Sequence, residues 1–104
     1  MAQSKIGQES SPSASGNSPR VEIYTWQFCP YCIRAKGLLD RKGVVYSEYR
    51  IDGDEEARRR MALRATGRTS LPQVFINNLG IGGCDELHAL ERSGELNALL
   101  GHPA

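Results

Sequence analysis

Long apolar runs are missing from this chain of 104 residues. No stretch approaches the roughly 18 residues that a bilayer helix needs, and the N-terminus lacks the continuous apolar segment of a secretory signal. A membrane protein is therefore not expected, and the cytoplasm is the expected location. An excess of charge is missing as well: thirteen Lys and Arg stand against twelve Asp and Glu, a formal net charge of +1. That balance argues against a nucleic-acid partner bound through its phosphates. Cysteine is scarce and odd in number, with three residues, which suits a secreted disulfide framework badly and a reducing compartment well. What is present is ordinary for a globular domain, 39% hydrophobic and 24% charged residues. A core of that kind folds without metal or disulfide staples, and nothing in the composition calls for a tightly bound cofactor.

Residues 1–19 are rich in Ser, Gly, Gln and Pro and have no apolar periodicity. They cannot bury enough surface to offset the entropy of ordering, so a disordered arm is expected there and one folded domain over residues 20–104. VEIYT alternates and reads as a first strand, with Val21, Ile23 and Thr25 on one face. Pro30 opens a helix expected over 30–42, with Ile33, Leu38 and Leu39 as its apolar stripe and Gly43 beyond its end. VVYSEYRI reads as a second strand, parallel to the first because a helix separates them. Asp54 is placed to cap a second helix with Ala57, Met61 and Ala65 inward, and the spacings Glu55 to Arg59 and Glu56 to Arg60 suit ion pairs. PQVFI and LGIGG, joined at Asn77-Asn78, read as a hairpin. Asp85 is expected to cap a third helix running to Gly94, followed by a last turn or two at Leu96, Leu99 and Leu100. The fold class is α/β: a four-stranded mixed sheet flanked by helices, in the order β-α-β-α-β-β-α.

The chemistry points to Cys29-Pro30-Tyr31-Cys32, between the first strand and the first helix. That position makes Cys29 the N-cap, Pro30 the first helical residue and Cys32 the third. A sulfur at the N-cap accepts hydrogen bonds from free N–H groups of the first turn and feels the positive end of the helix, so its thiolate is favoured. Cys29 is thus the expected nucleophile and Cys32 the thiol that resolves a mixed disulfide. A zinc site would need two more ligands from Cys84, His88 and His102, which form no second clustered pair, so redox chemistry is the preferred reading.

From Val21 to about Leu100 the chain resembles glutaredoxins: YTWQFCPYC, KGV, IDGD, GRTSLPQVFI and IGGCDEL follow in that family's order and spacing. The resemblance is greatest to bacterial dithiol members. It implies a thioredoxin fold with Pro72 in the cis form. It also implies a thiol-disulfide oxidoreductase with glutathione as co-substrate, reducing protein-glutathione mixed disulfides and protein disulfides. Reducing equivalents would come through glutathione reductase, and a monomer is the default. By the same resemblance, Leu71 offers its backbone to the cysteine of glutathione. In the family's GG-x-D pattern, here Gly82-Gly83-Cys84-Asp85, the start of the third helix at Cys84 and Asp85 offers N–H groups to the γ-glutamyl carboxylate, and the Asp85 side chain takes the ammonium.

One position departs from the family pattern. Many glutaredoxins carry a lysine where this chain has Trp26, and Trp26 supplies no charge for the glycyl carboxylate of glutathione. Arg68 is the first replacement and Arg34 a weaker one. Trp26 is read either as an apolar wall beside the disulfide or as half-buried packing. Tyr31 is expected to flank the bound peptide, the Cys84 side chain to be a small buried filler, and the two histidines to lie on the surface. Two rival functions remain: a thioredoxin-like reductase, which would carry Gly-Pro between its cysteines, and a module in which Cys29 and glutathione hold a [2Fe-2S] cluster, which Pro30 and Cys32 disfavour.

Overall fold

Strand β1 (Val21–Thr25) opens the regular part of the computed structural model, which describes residues 19–101. The expected arm lies outside the described residues except for Pro19, and so does His102. After β1 come α1 (Pro30–Arg41), β2 (Tyr46–Arg50), α2 (Glu55–Arg64), β3 (Gln73–Ile76), β4 (Leu79–Gly82), α3 (Cys84–Ser93) and α4 (Glu95–Leu100). The four strands form one sheet in the order β2-β1-β3-β4. β1 runs parallel to β2 and antiparallel to β3, and β3 pairs antiparallel with β4, so the sheet is mixed as expected. Among the described residues no helix is long and apolar enough to cross a membrane.

Local signals account for most boundaries. Asp54 caps α2, its Oδ1 accepting the Ala57 N–H at 3.0 Å. The hairpin turns at Asn77 and Asn78, both at positive φ (51° and 69°), the conformation that a two-residue connection between twisted strands requires. Gly43 ends the α1 segment at φ 71°. Of the two ion pairs expected on α2, Glu56 to Arg60 is present at 3.4 Å, while Arg59 pairs with Glu56 rather than Glu55.

Four details differ from the expectations. β2 is shorter than VVYSEYRI: Val44 and Val45 belong to the connection after Gly43, where Val45 is exposed, and Ile51 follows the strand. Ile33 is exposed, because Cys32, Ala35 and Leu39 occupy the inward stripe of α1 and leave Ile33 on the stripe of Lys36 and Gly37. The closing turn or two form a separate helix, α4, set off by Gly94 at φ 83°. Asp85 is not a cap: Gly83 is the N-cap of α3, and Glu86 closes the capping box by accepting the Gly83 N–H at 2.7 Å.

The core has two parts, one on each face of the sheet. Val21 and Ile23 of β1 and Val74 and Ile76 of β3 pack with Leu38 and Leu39 of α1, Leu87 of α3, and Leu96 and Leu100 of α4. On the other face Phe75 packs with Ala57, Met61 and Ala65 of α2, flanked by Tyr24 and Tyr49. β1 is therefore buried on both sides, and Glu22, between Val21 and Ile23, is buried too.

Candidate active site

β1 delivers the chain to the start of α1, and two bonds hold that junction. The Gln27 N–H donates to Asp52 Oδ2 at 2.7 Å, and the Ile51 N–H to the Thr25 carbonyl at 3.0 Å, which tie the loop before Cys29 to the segment after β2. Cys29 takes the N-cap with extended backbone (φ −115°, ψ 104°), and Pro30 stands in the first turn, where its missing N–H costs nothing. The Cys29 Sγ accepts the Cys32 N–H at 3.2 Å. The helix thus presents a backbone donor to the sulfur.

Both cysteines are buried, Cys29 at 4% and Cys32 at 1% exposure. Burial pushes the Cys32 thiol up to about 12, and the neighbouring Cys29 acts in the same direction. Cys32 therefore stays protonated while Cys29 is free, which separates the two thiols chemically. Around them the surface is aromatic: Trp26 is 46% exposed, Phe28 75% and Tyr31 54%. Trp26 is thus about half exposed.

Leu71 and Pro72 approach from the turn before β3, and the peptide bond between them is cis. The Leu71 carbonyl stands 3.9 Å from Cys29 Sγ. The N-terminus of α3 closes the third side. Gly82 sits at φ 112°, and a Cβ there would come within 2.8 Å of Glu86 Cγ; at Gly83 it would meet the Pro72 carbonyl at 3.2 Å. These two glycines let α3 begin directly beside the cis-proline turn while Glu86 folds back over its N-cap.

Between these walls lies a cavity of about 300 Å³, near the lower end of ligand pockets. It is lined by Tyr31, Arg68, Leu71, Pro72, Gly83, Cys84 and Asp85, all seven of the residues singled out from sequence for binding, and also by Ser70, Gln73 and Glu86. Arg34 does not line it. Arg68 is exposed and spends its Nε on the Ala65 carbonyl at 3.3 Å. Among the described residues no carboxylate pairs with Arg68, and no donor or cation pairs with the Asp85 carboxylate. With Glu86 acting in the capping box, Asp85 is left free.

The remaining lining residues carry less obvious chemistry. Gln73 is fully buried and donates from Nε2 to Ser70 Oγ at 3.2 Å, and its Oε1 has no partner among the described residues. Only the topology brings it here, so no local signal marked it. Glu86 carried only a partial one, since a glutamate three residues after the cap is half of a capping box and Gly83 has no side chain to complete it. Cys84 is buried, as a filler would be, and burial pushes its thiol up. His88 was expected on the surface; it is half-buried, with Nδ1 3.5 Å from Cys84 Sγ and 2.9 Å from the Cys84 carbonyl.

A shielded dithiol at the mouth of a helix, facing a cis-proline turn at the edge of a mixed sheet, defines the class: a thiol oxidoreductase of the thioredoxin fold. Comparison with known proteins narrows it further. The family model for glutaredoxin matches residues 21–81. A probable glutaredoxin of Synechocystis is 58% identical over 90 residues, covering 86% of this chain and 83% of that protein. Glutaredoxin 3 of Escherichia coli is 52% identical over 80 residues, covering 77% and 95%. Among solved structures, glutaredoxin from Brucella melitensis superposes with a TM-score of 0.72 at 45% identity, covering 86% of this chain and 98% of that one. The buckwheat glutaredoxin-glutathione complex gives 0.73 at 31% identity, covering 82% and 79%. The chain belongs to the glutaredoxin family.

Proposed function

We propose that this oxidoreductase is glutathione-dependent and reduces protein-glutathione mixed disulfides and protein disulfides, with Cys29 as nucleophile. The observation that carries the reading is the cavity beside Cys29, whose walls match the charges of glutathione. Leu71 pairs its backbone with the cysteinyl residue of the tripeptide. The N–H groups at Cys84 and Asp85 receive the γ-glutamyl carboxylate at the start of α3, beside Gly83, and the Asp85 carboxylate takes the ammonium. Arg68 takes the glycyl carboxylate in place of the absent lysine, and the Tyr31 ring lies along the peptide beside Pro72. The buckwheat relative in complex with glutathione supports the assignment of this ligand.

In the cycle, the Cys29 thiolate attacks the glutathione sulfur of a glutathionylated protein. The old S–S bond breaks, and the protein leaves as a thiolate that takes up a proton. A second glutathione thiolate then attacks the same sulfur, releasing glutathione disulfide and restoring Cys29. Glutathione disulfide is recycled by glutathione reductase. With a protein disulfide as substrate, Cys29 forms the mixed disulfide and Cys32 displaces the protein. The chemistry needs a single chain, no tightly bound cofactor and the reducing cytoplasm.

The test is glutathione-dependent reduction of a glutathionylated peptide, coupled to glutathione reductase, in wild type, Cys29→Ser and Cys32→Ser. An inactive Cys29→Ser with an active Cys32→Ser is the expected pattern. A wild type that turns over only with a flavoprotein thioredoxin reductase would overturn the glutathione assignment and make Trp26 the first suspect.

A further inference from the structure

Exposed apolar side chains gather around the dithiol, and the cycle leaves most of them unused. Trp26, Phe28, Tyr31 and Ile33 are four of the seven large hydrophobic side chains that stand exposed among the described residues. The other three lie apart: Val45 before β2, Leu63 on α2 and Leu79 on β4. From Trp26 to Ile33 no residue other than the reactive Cys29 can carry a charge near neutral pH, in a chain of which 24% is charged. Only Tyr31 lines the cavity assigned to glutathione; Trp26, Phe28 and Ile33 lie outside it.

The helix start accounts for the position of two of these side chains but not for their exposure. Phe28 is N′ and Ile33 is N4 of α1, the two positions that adjoin where a chain enters a helix. A staple of that kind works by burying both side chains, yet Phe28 stays 75% and Ile33 64% exposed. Ile33 is also off the inward stripe of α1, so packing on the sheet calls for no apolar residue there. Exposed aromatic and aliphatic side chains grouped in this way mark an interaction surface.

The reaction itself says what covers this surface. In disulfide exchange the attacking, central and leaving sulfurs lie nearly in line, so the sulfur of the departing protein stands roughly 4 Å from Cys29 Sγ, about two S–S bond lengths. Trp26 and Phe28 are within three residues of Cys29, and Ile33 is about one turn along its helix. Residues one or two places from the substrate's cysteine, at about 3.5 Å per residue, reach that far. A polypeptide that reacts with Cys29 therefore covers part of this rim.

We propose that Phe28 and Ile33, with Trp26, form a docking rim for the protein half of a mixed disulfide, and that the rim selects protein substrates whose reactive cysteine is flanked by apolar or aromatic side chains. The proposal deepens the glutathione-dependent reading and rests on Cys29 as the nucleophile. Aromatic side chains give an interface large contact area, and polar flanking residues of a substrate would lose water against this rim without gaining a partner. The rim thus favours one kind of flank and disfavours the other. No new bond is involved: the exchange at Cys29 is the one described above.

The experiment uses two glutathionylated peptides of equal length and net charge. In one the cysteine is flanked on both sides by Leu and Phe, in the other by Ser and Asn. The mixed disulfide of glutathione with 2-mercaptoethanol, which has no flanking residues, is the third substrate. Turnover with glutathione and glutathione reductase gives kcat/KM for each in wild type, Phe28→Ser, Ile33→Ser and the double variant. Wild type is expected to prefer the apolar peptide about tenfold, each single variant to lose about threefold of that preference, and the double variant to fall to within about twofold. Phe28→Leu is expected to keep most of the preference. The polar peptide, the small disulfide and the KM for glutathione are expected to hold at wild-type values. Equal wild-type rates on the two peptides overturn the proposal. So does a loss shared by all three substrates, which would make Phe28 and Ile33 supports of the helix start. Sedimentation reads the rival occupant, a second copy of the chain: a wild-type dimer that the double variant abolishes, with the peptide preference intact, also overturns the proposal. If wild type turns over none of the three substrates, the glutathione reading fails by itself. The preference is then read in single turnovers of the reduced protein, with the same peptides carrying 2-mercaptoethanol in place of glutathione, under the same criteria.

Discussion

The two faces of the sheet are built from the same strands and behave differently. On the α1 and α3 face the strands present Val21, Ile23, Val74 and Ile76, an aliphatic layer that carries the dithiol helix and the N-terminus of α3. On the α2 face the same strands present Glu22, Tyr24 and Phe75. There Arg64 binds Glu22 through both guanidinium nitrogens, at 2.8 and 3.3 Å, and the Tyr49 hydroxyl donates to the same carboxylate at 3.1 Å. The guanidinium also lies over the Phe75 ring, 4.1 Å from its centre, and donates to the Tyr24 hydroxyl at 2.9 Å. The reactive face thus rests mainly on aliphatic packing, with Thr25, Glu48 and Lys36 joined at its β2 side, and the α2 face holds the most deeply buried carboxylate, Glu22.

Substitutions can test that division of labour. The largest expected effect is on the aliphatic face: Leu39→Ala should cost about 3 to 4 kcal/mol in denaturant unfolding, with turnover per folded molecule preserved. On the polar face, Glu22→Ala should cost about 3 kcal/mol, because it leaves the Arg64 guanidinium without its partner. The double variant Glu22→Leu/Arg64→Met should recover to within about 1 kcal/mol of wild type. A double variant as unstable as Glu22→Ala would show that the pair is needed for more than mutual neutralisation.

Acid should act on the polar face through the same residue. Burial opposes ionisation of Glu22, but the Arg64 hydrogen bond and charge and the Tyr49 hydroxyl outweigh it, so its carboxyl lies below the ordinary value. A pKa lowered by folding contributes stability in full above the unfolded value, and that stability is lost as pH falls through the folded one. Urea unfolding midpoints should therefore drop below the ordinary glutamate range, and Glu22→Gln should flatten that drop. The smallest effects belong to the cavity, where stability should stay put and binding should move. Asp85→Asn should raise the KM for glutathione about tenfold with little change in kcat. Trp26→Lys should lower that KM. An Asp85→Asn variant that unfolds early but binds normally would move this residue from the ligand to the scaffold.

Much of the site was legible in the sequence because its signals are local. Cys29 follows a strand and precedes Pro30, so its N-cap position needed no partner from elsewhere in the chain. The Asn77-Asn78 turn and the Asp54 cap are likewise written within four residues. Asp85 was misread as a cap because Gly83 and Glu86 do that work together, and a glycine N-cap has no side chain to announce it. Ile33 was misread because helix periodicity gives a stripe but not its absolute direction; the strands beneath α1 select Cys32 and Ala35.

By itself, then, the sequence determined the class of fold, the reactive pair and the order of the elements, since each depends on residues within a turn or a strand of one another. Tertiary structure decided what depends on contacts across long separations. It placed Leu71 3.9 Å from a sulfur 42 residues earlier and joined Arg64 to Glu22 across the same separation. It also set Lys36 on α1 against Glu48 on β2. Each of these partners is brought within reach only by the pairing order of the sheet, and no short window of sequence contains that order.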